Sequence, residues 1–202
     1  MASLDECPFC DSKIASAALW ENAHYRIIAD QYPRCVGHIL LLSKTHLASH
    51  MCAPFDYLPK LKAAHVQARQ FLMNVFGKVS FWENGGSPYQ EVLHAHLHGM
   101  PVSLRVPDHW IAEHIIRPVK SWEDAWQKCQ QVSPYCYIET GDQSYLLQRD
   151  DHYLTILNEA RSQLAVQGAV ELEPGTGDIK CHGTAMMNET IHLWKIWSQN
   201  KD

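Results

Sequence analysis

The apolar residues of this chain gather into short runs and one long periodic segment. "HYRIIAD" (24–30) and "GHILLLS" (37–43) are brief, apolar and partly β-branched. Pro33 and Gly37 supply turn residues between them, so both runs are predicted strands. Over residues 57–76, Leu61, Ala64, Ala68, Leu72, Val75 and Phe76 recur at helical spacing, and Gly77 follows as a stop signal. "KVSFWEN" (78–84) reads as a strand and "GGSP" (85–88) as a loop. "QEVLHAHLHGM" (90–100) is again a predicted strand: Leu93, Ala95 and Leu97 suit a core face, and His94, His96 and His98 share the opposite one.

Past Pro101 the pattern weakens. Residues 108–129 mix tryptophans with charges and predict no clear element. "YCYIETGDQSYLL" (135–147) predicts a hairpin turning around residues 140–143. A helix is predicted over 151–166, with Leu154, Leu157, Ala160, Leu164 and Ala165 inward, then a loop over 171–178 and a last helix over 184–197. The expected class is α+β. A compact unit of antiparallel sheet and helices spans residues 1–105, and a C-terminal α/β extension, 106–202, packs on the same domain.

A chain of 202 residues with 46 % hydrophobic composition can bury a core without disulfides. A net charge of −5 gives no reason to expect a nucleic-acid or membrane partner. With no long apolar run and a polar start, "MASLDECPFC", the expected location is cytoplasmic. The seven cysteines are an odd number, and only Cys7 and Cys10 form a C-x-x-C pair. That spacing is a chelating knuckle; no thioredoxin-like strand and helix surround it, which argues against a redox pair.

The three histidines need a chemical reading. Alternate strand positions place them on one face, roughly 6.5–7 Å apart, close enough to converge on one metal ion or phosphate. A metal-chelating strand end of the H-x-H-x-D-H type lacks its aspartate here, since Gly99 and Met100 follow His98. The other reading makes a neutral imidazole the nucleophile at phosphorus, with its neighbours on the phosphate oxygens and leaving group.

"HAHLHGM" resembles the motif of the histidine triad (HIT) family, in which three histidines alternate with apolar residues. The likeness extends upstream to "GHILLLSKTH", to Asp30 eight residues before His38, and to Gln90 four residues before His94. It covers residues 7 to about 102 and implies a HIT-like fold, a nucleotide substrate and a homodimer. Carried over residue by residue, it makes His96 the nucleophile at the α-phosphorus and gives His98 the phosphate and leaving group. His38 supports that cluster or touches phosphate. Asp30 takes the ribose hydroxyls and Ile28 packs on the base, although Ile28 also reads as plain core. Asn84, Ser87 and Gln90 complete the expected nucleotide contacts. The third histidine, His98, favours hydrolysis of a phosphoanhydride or phosphoramidate. Nucleotidyl transfer or phosphorolysis, and a regulatory nucleotide-binding module without turnover, stay open as alternatives.

Some relatives of this kind bind one structural zinc per chain, which here implies Cys7, Cys10, His46 and His94 as ligands. Two positions depart from the family pattern: Glu91 replaces a Ser or Thr, and Glu83 replaces an amide. Two carboxylates beside a phosphate would repel it.

Overall fold

The computed structural model describes residues 7–86, 90, 92–113, 116–130, 134–148, 158, 162–163 and 183–201. The helix predicted over 151–166 falls almost entirely outside these residues, as do the loop over 171–178, Cys181 and His182. One antiparallel sheet organises the chain. Its strands are β1 (Trp20–Glu21), β2 (Tyr25–Ala29), β3 (Ile39–Ser43), β4 (Ser80–Gly85), β5 (His96–Met100), β6 (Ile116–Val119), β7 (Tyr135–Thr140) and β8 (Gln143–Gln148). They lie in the order β1-β2-β3-β5-β4-β7-β8-β6. The chain is therefore α+β, and the C-terminal strands extend the same sheet: β7 pairs with β4 from Ser80↔Thr140 to Gly85↔Tyr135.

Helix α2 (Leu58–Phe76) covers one face of the sheet. It buries Leu58, Leu61, Ala64, Ala68, Phe71 and Leu72 against Ile27, Leu41, Leu97 and Phe81. Gly77 ends it in the left-handed conformation, φ 74°, and donates its N–H to the Met73 carbonyl. Gly99 makes the close approach possible. A Cβ there would stand 2.8 Å from the Phe81 ring, 3.1 Å from Ile39 and 3.2 Å from Leu72, all core atoms. Gly99→Ala is therefore expected to cost about 1–3 kcal/mol, readable as a lower urea midpoint with an unchanged slope.

β3 is buried along its whole length, which explains its unbroken apolar run. Its second face is covered by the N-terminal segment: Ile14 of α1 (Ser12–Ser16) and Phe9 pack on Ile28, Leu40 and Leu42. Further along that face, residues 100–112 fold over β4, β7 and β8. They bring Met100, Val102, Leu104 and Trp110 of α3 (Asp108–Ala112) onto Trp82, Cys136, Ile138 and Leu147.

The tryptophan-rich stretch without a clear predicted element holds α3, β6 and α4 (Trp122–Cys129). Ser121 caps α4, its hydroxyl accepting from the Asp124 N–H at 3.2 Å. The last helix, α5 (Gly183–Gln199), packs on α2, with Trp194 and Trp197 against Phe71. The predicted strand over 90–100 is shorter than expected. Residues 92–94 are bends, β5 starts at His96, and Leu93 is 49 % exposed instead of inward. The Ala95 N–H goes to the Leu47 carbonyl at 2.6 Å, while the Ala95 carbonyl still accepts from the Ser43 N–H of β3 at 3.3 Å. No helix among the described residues is long and apolar enough to cross a membrane.

Candidate functional site

β5 lies between β3 and β4, with His96 opposite Leu42, and His98 opposite both Leu40 and Trp82. Partners in antiparallel register share a face. His96, His98, Leu40, Leu42, Ile28 and Trp82 thus point away from α2, and Asn84, two residues beyond Trp82, joins them.

His96 is held by its own chain. Its Nδ1 lies 2.6 Å from the His94 carbonyl, an acceptor only, so Nδ1 carries the proton and Nε2 keeps its lone pair. Burial lowers its pKa and favours this neutral form. Gln90 fixes the same carbonyl: its amide donates to His94 O at 2.8 Å and Ala48 O at 3.0 Å and accepts from the Gly86 N–H at 3.1 Å. The Gln90 side chain therefore holds backbone in place. The ring of Phe9 meets that of His96 edge-on, with centroids 5.4 Å apart.

A second chain of contacts runs from His98. Its Nδ1 is 3.0 Å from His38 Nε2, and His38 Nδ1 is 3.1 Å from the Arg34 N–H and 3.2 Å from an Asp30 oxygen. The other Asp30 oxygen accepts from the Tyr32 N–H at 2.9 Å. Burial depresses the pKa of both His38 and His98. Ile28 shares the face but is only 1 % exposed, enclosed by Ile14, Leu40, Leu42 and Phe9. The Asn84 carbonyl oxygen accepts from the Trp82 indole at 2.9 Å. Ser87 and Glu91 lie outside the described residues.

Glu83 is not at this site. Strand alternation sends it to the opposite face, fully buried, where it accepts from His50 N–H at 2.9 Å, His50 Nδ1 at 2.7 Å and the Tyr135 hydroxyl at 2.7 Å. These partners hold its carboxyl below the usual range despite the cost of burial. Glu83 therefore does not touch the histidine face, and its charge reaches His96 only through space.

Cys7, Cys10, His46 and His94 converge, their four ligand atoms all within 4.8 Å of one another. The Cys7 and Cys10 sulfurs are 3.5 and 3.6 Å from His94 Nδ1, and Cys10 is 3.4 Å from His46 Nδ1. Tetrahedral zinc with its usual bond lengths separates sulfur and nitrogen ligands by about 3.5 Å, so the donor set fits that ion. His94 Nε2 lies 2.8 Å from the Ser43 carbonyl, which places its proton there and turns the Nδ1 lone pair toward the cysteines. Burial lowers His94 to about 4, which keeps it a neutral ligand. Burial and the neighbouring Cys7 push the Cys10 thiol up to about 11, and a cation among the four would reverse that.

The alternating histidines, the zinc-fitting C-x-x-C knuckle and the His38–His98 contact stand together on one sheet face. The chain is similar to histidine triad proteins. No family model and no curated protein matches it. Among solved structures, a hypothetical histidine triad nucleotide-binding protein from Sulfolobus tokodaii is 20 % identical, with 87 % of this chain and 100 % of that one covered and a TM-score of 0.43. A zinc-bound histidine triad family protein from Mycobacterium smegmatis is 22 % identical, covering 49 % and 76 %, with a TM-score of 0.38. A HIT family hydrolase from Legionella pneumophila is 25 % identical, covering 46 % and 90 %, with a TM-score of 0.37. The histidine triad likeness rests on the residues. Sequence patterns missed Phe9 as a neighbour of His96. Its place between the two cysteines of the knuckle was the available signal, because folding the knuckle onto His94 brings Phe9 to the adjacent histidine.

Proposed function

We propose that the chain hydrolyses a nucleotide phosphoanhydride or phosphoramidate through a covalent intermediate on His96. The observation that carries this reading is the His96 Nδ1 contact with the His94 carbonyl at 2.6 Å, which leaves Nε2 as the free nucleophile. Nε2 gives its lone pair to the α-phosphorus, and the bond to the leaving group breaks with the electron pair departing on that group. The resulting phosphoryl-imidazolium keeps its Nδ1–H on the His94 carbonyl, which stabilises the positive charge. Water then attacks phosphorus, the N–P bond returns its electrons to Nε2, and the water proton passes to solvent. His98 serves the phosphate and leaving group, with His38 behind it. Both are neutral, so they supply hydrogen bonds in place of positive charge, which suits a leaving phosphate better than an amine needing a proton.

Asp30 would take the ribose hydroxyls by exchanging its contact with His38, and Asn84 stands on the same face. Ser87 and Ile28 complete the proposed nucleotide contacts, Ile28 once the Phe9 segment shifts. Cys7, Cys10, His46 and His94 would hold one zinc per chain, whose contribution is to folding. β5 and β7 of the same chain fill both edges of β4, so a homodimer could not extend the sheet there.

Incubation with a mass-tagged adenylyl donor, quenched at short times, should label His96. An adduct resolved faster by water than by phosphate supports the hydrolase. Faster resolution by phosphate would make it a phosphorylase, and tight nucleotide binding with neither adduct nor turnover would make it a binding module.

A further inference from the structure

The C-terminal helix touches the turn that carries His38. Thr190 of α5 is fully buried, and its hydroxyl accepts from the Gly37 N–H at 2.8 Å while donating to the Met186 carbonyl at 2.8 Å. Gly37 has φ 89°, and a Cβ there would meet the Phe76 ring at 2.8 Å, so this turn admits little adjustment. Within the turn, the His38 N–H donates to Cys35 O at 3.2 Å and the Arg34 N–H points at His38 Nδ1 from 3.1 Å.

Two protonation patterns compete at His38. Asp30 favours a proton on Nδ1, whereas the Arg34 N–H requires a lone pair there. The choice propagates. A lone pair on His38 Nδ1 puts the proton on Nε2, which donates to His98 Nδ1 and leaves His98 Nε2–H free as a donor. The opposite pattern makes His98 Nε2 an acceptor, which a phosphate oxygen repels.

We propose that Thr190 is a positioning residue for the reaction. By holding Gly37 it keeps the Arg34 N–H on His38 Nδ1 and so selects the tautomer in which His98 presents a proton to the substrate. This rests on the hydrolase reading for its kinetic consequence, but the tautomer can be read without turnover.

In the native protein, ¹⁵N-resolved histidine spectra should show His38 and His98 each protonated on Nε2; finding His38 protonated on Nδ1 would overturn the proposal regardless of any variant. Thr190→Val should move His38 toward the Nδ1–H form and lower kcat about tenfold with KM changed less, whereas Thr190→Ser should restore both. Trp194→Phe loosens the same helix without touching the turn. Equal kcat losses for Thr190→Val and Trp194→Phe, at matched loss in Tm and with native tautomers in both, would reduce Thr190 to a structural residue. If the native protein has the expected tautomers but forms no adduct and turns nothing over, the hydrolase reading fails while the tautomer assignment stands.

Discussion

His96→Ala will abolish nucleotide turnover, by at least about 10³-fold in kcat, while leaving nucleotide binding and the fold in place. The side chain is largely buried, but its loss removes no hydrogen bond that other residues depend on, because Gln90 also holds the His94 carbonyl. Calorimetric nucleotide binding and intact-protein mass spectrometry separate the two effects: binding persists and the covalent adduct disappears. An adduct that survives in His96→Ala would move the nucleophile to another group. The pH profile carries a second signature. Burial holds the His96 pKa below 6.5, so the lone pair on Nε2 persists through neutrality, and kcat/KM should fall only on the acid side of 6.5. The same sign applies to stability. His38, His94, His96 and His98 all have folded-state pKa values below their unfolded ones, so the unfolded chain takes up protons first as pH falls. Their contribution is complete above about 6.5. It declines below that, for His94 down to about 4.

The histidine alternation was legible because a strand face needs no tertiary information: every second residue shares it. The long helix was equally legible, from its apolar spacing and Gly77, and so was the hairpin around Gly141. What the local pattern hid are contacts between distant segments. Leu93 looks like a core position by alternation, yet β5 begins only at His96, and the Ala95 N–H bonds to Leu47 and not to β3. Glu83 looks like a carboxylate at the phosphate site by motif alignment. It faces the core because it falls one residue beyond Trp82, and its charge is met by His50 and Tyr135, neither predictable as its partner. In the tryptophan-rich stretch α4 runs for only eight residues, and Trp122 and Trp126 are half-buried flanks of the core. Ser121 as cap, Glu123 and Asp124 in the first turn and Lys128 in the last are all local signs of α4. That β7 would join β4 depends on a pairing between residues far apart in sequence, which hydrophobic periodicity does not encode.

Cys7→Ser will lower bound zinc well below one per chain and destabilise the protein by about 2–4 kcal/mol, a drop of roughly 5–15 °C in Tm. The reason lies in what the four ligands join. Cys7 and Cys10 come from the N-terminal segment, His46 from the turn after β3, and His94 from the approach to β5, so an ion among them crosslinks three separate segments. Losing one ligand frees the segment carrying Phe9 and Ile14, which covers Ile28, Leu40 and Leu42. The effect should also reach the chemistry through a short path. His94 would offer Nδ1 to the ion and gives its carbonyl to His96, so a loosened His94 weakens the contact that fixes the His96 tautomer. Metal analysis, thermal unfolding and kcat measured on the same preparations test this chain of effects. Zinc content and kcat should fall together in Cys7→Ser and in chelator-treated native protein, and added zinc should restore both only in the latter. A chelated native protein that keeps its Tm and its kcat would show that the four side chains meet without needing an ion, and that His96 is held by the backbone alone.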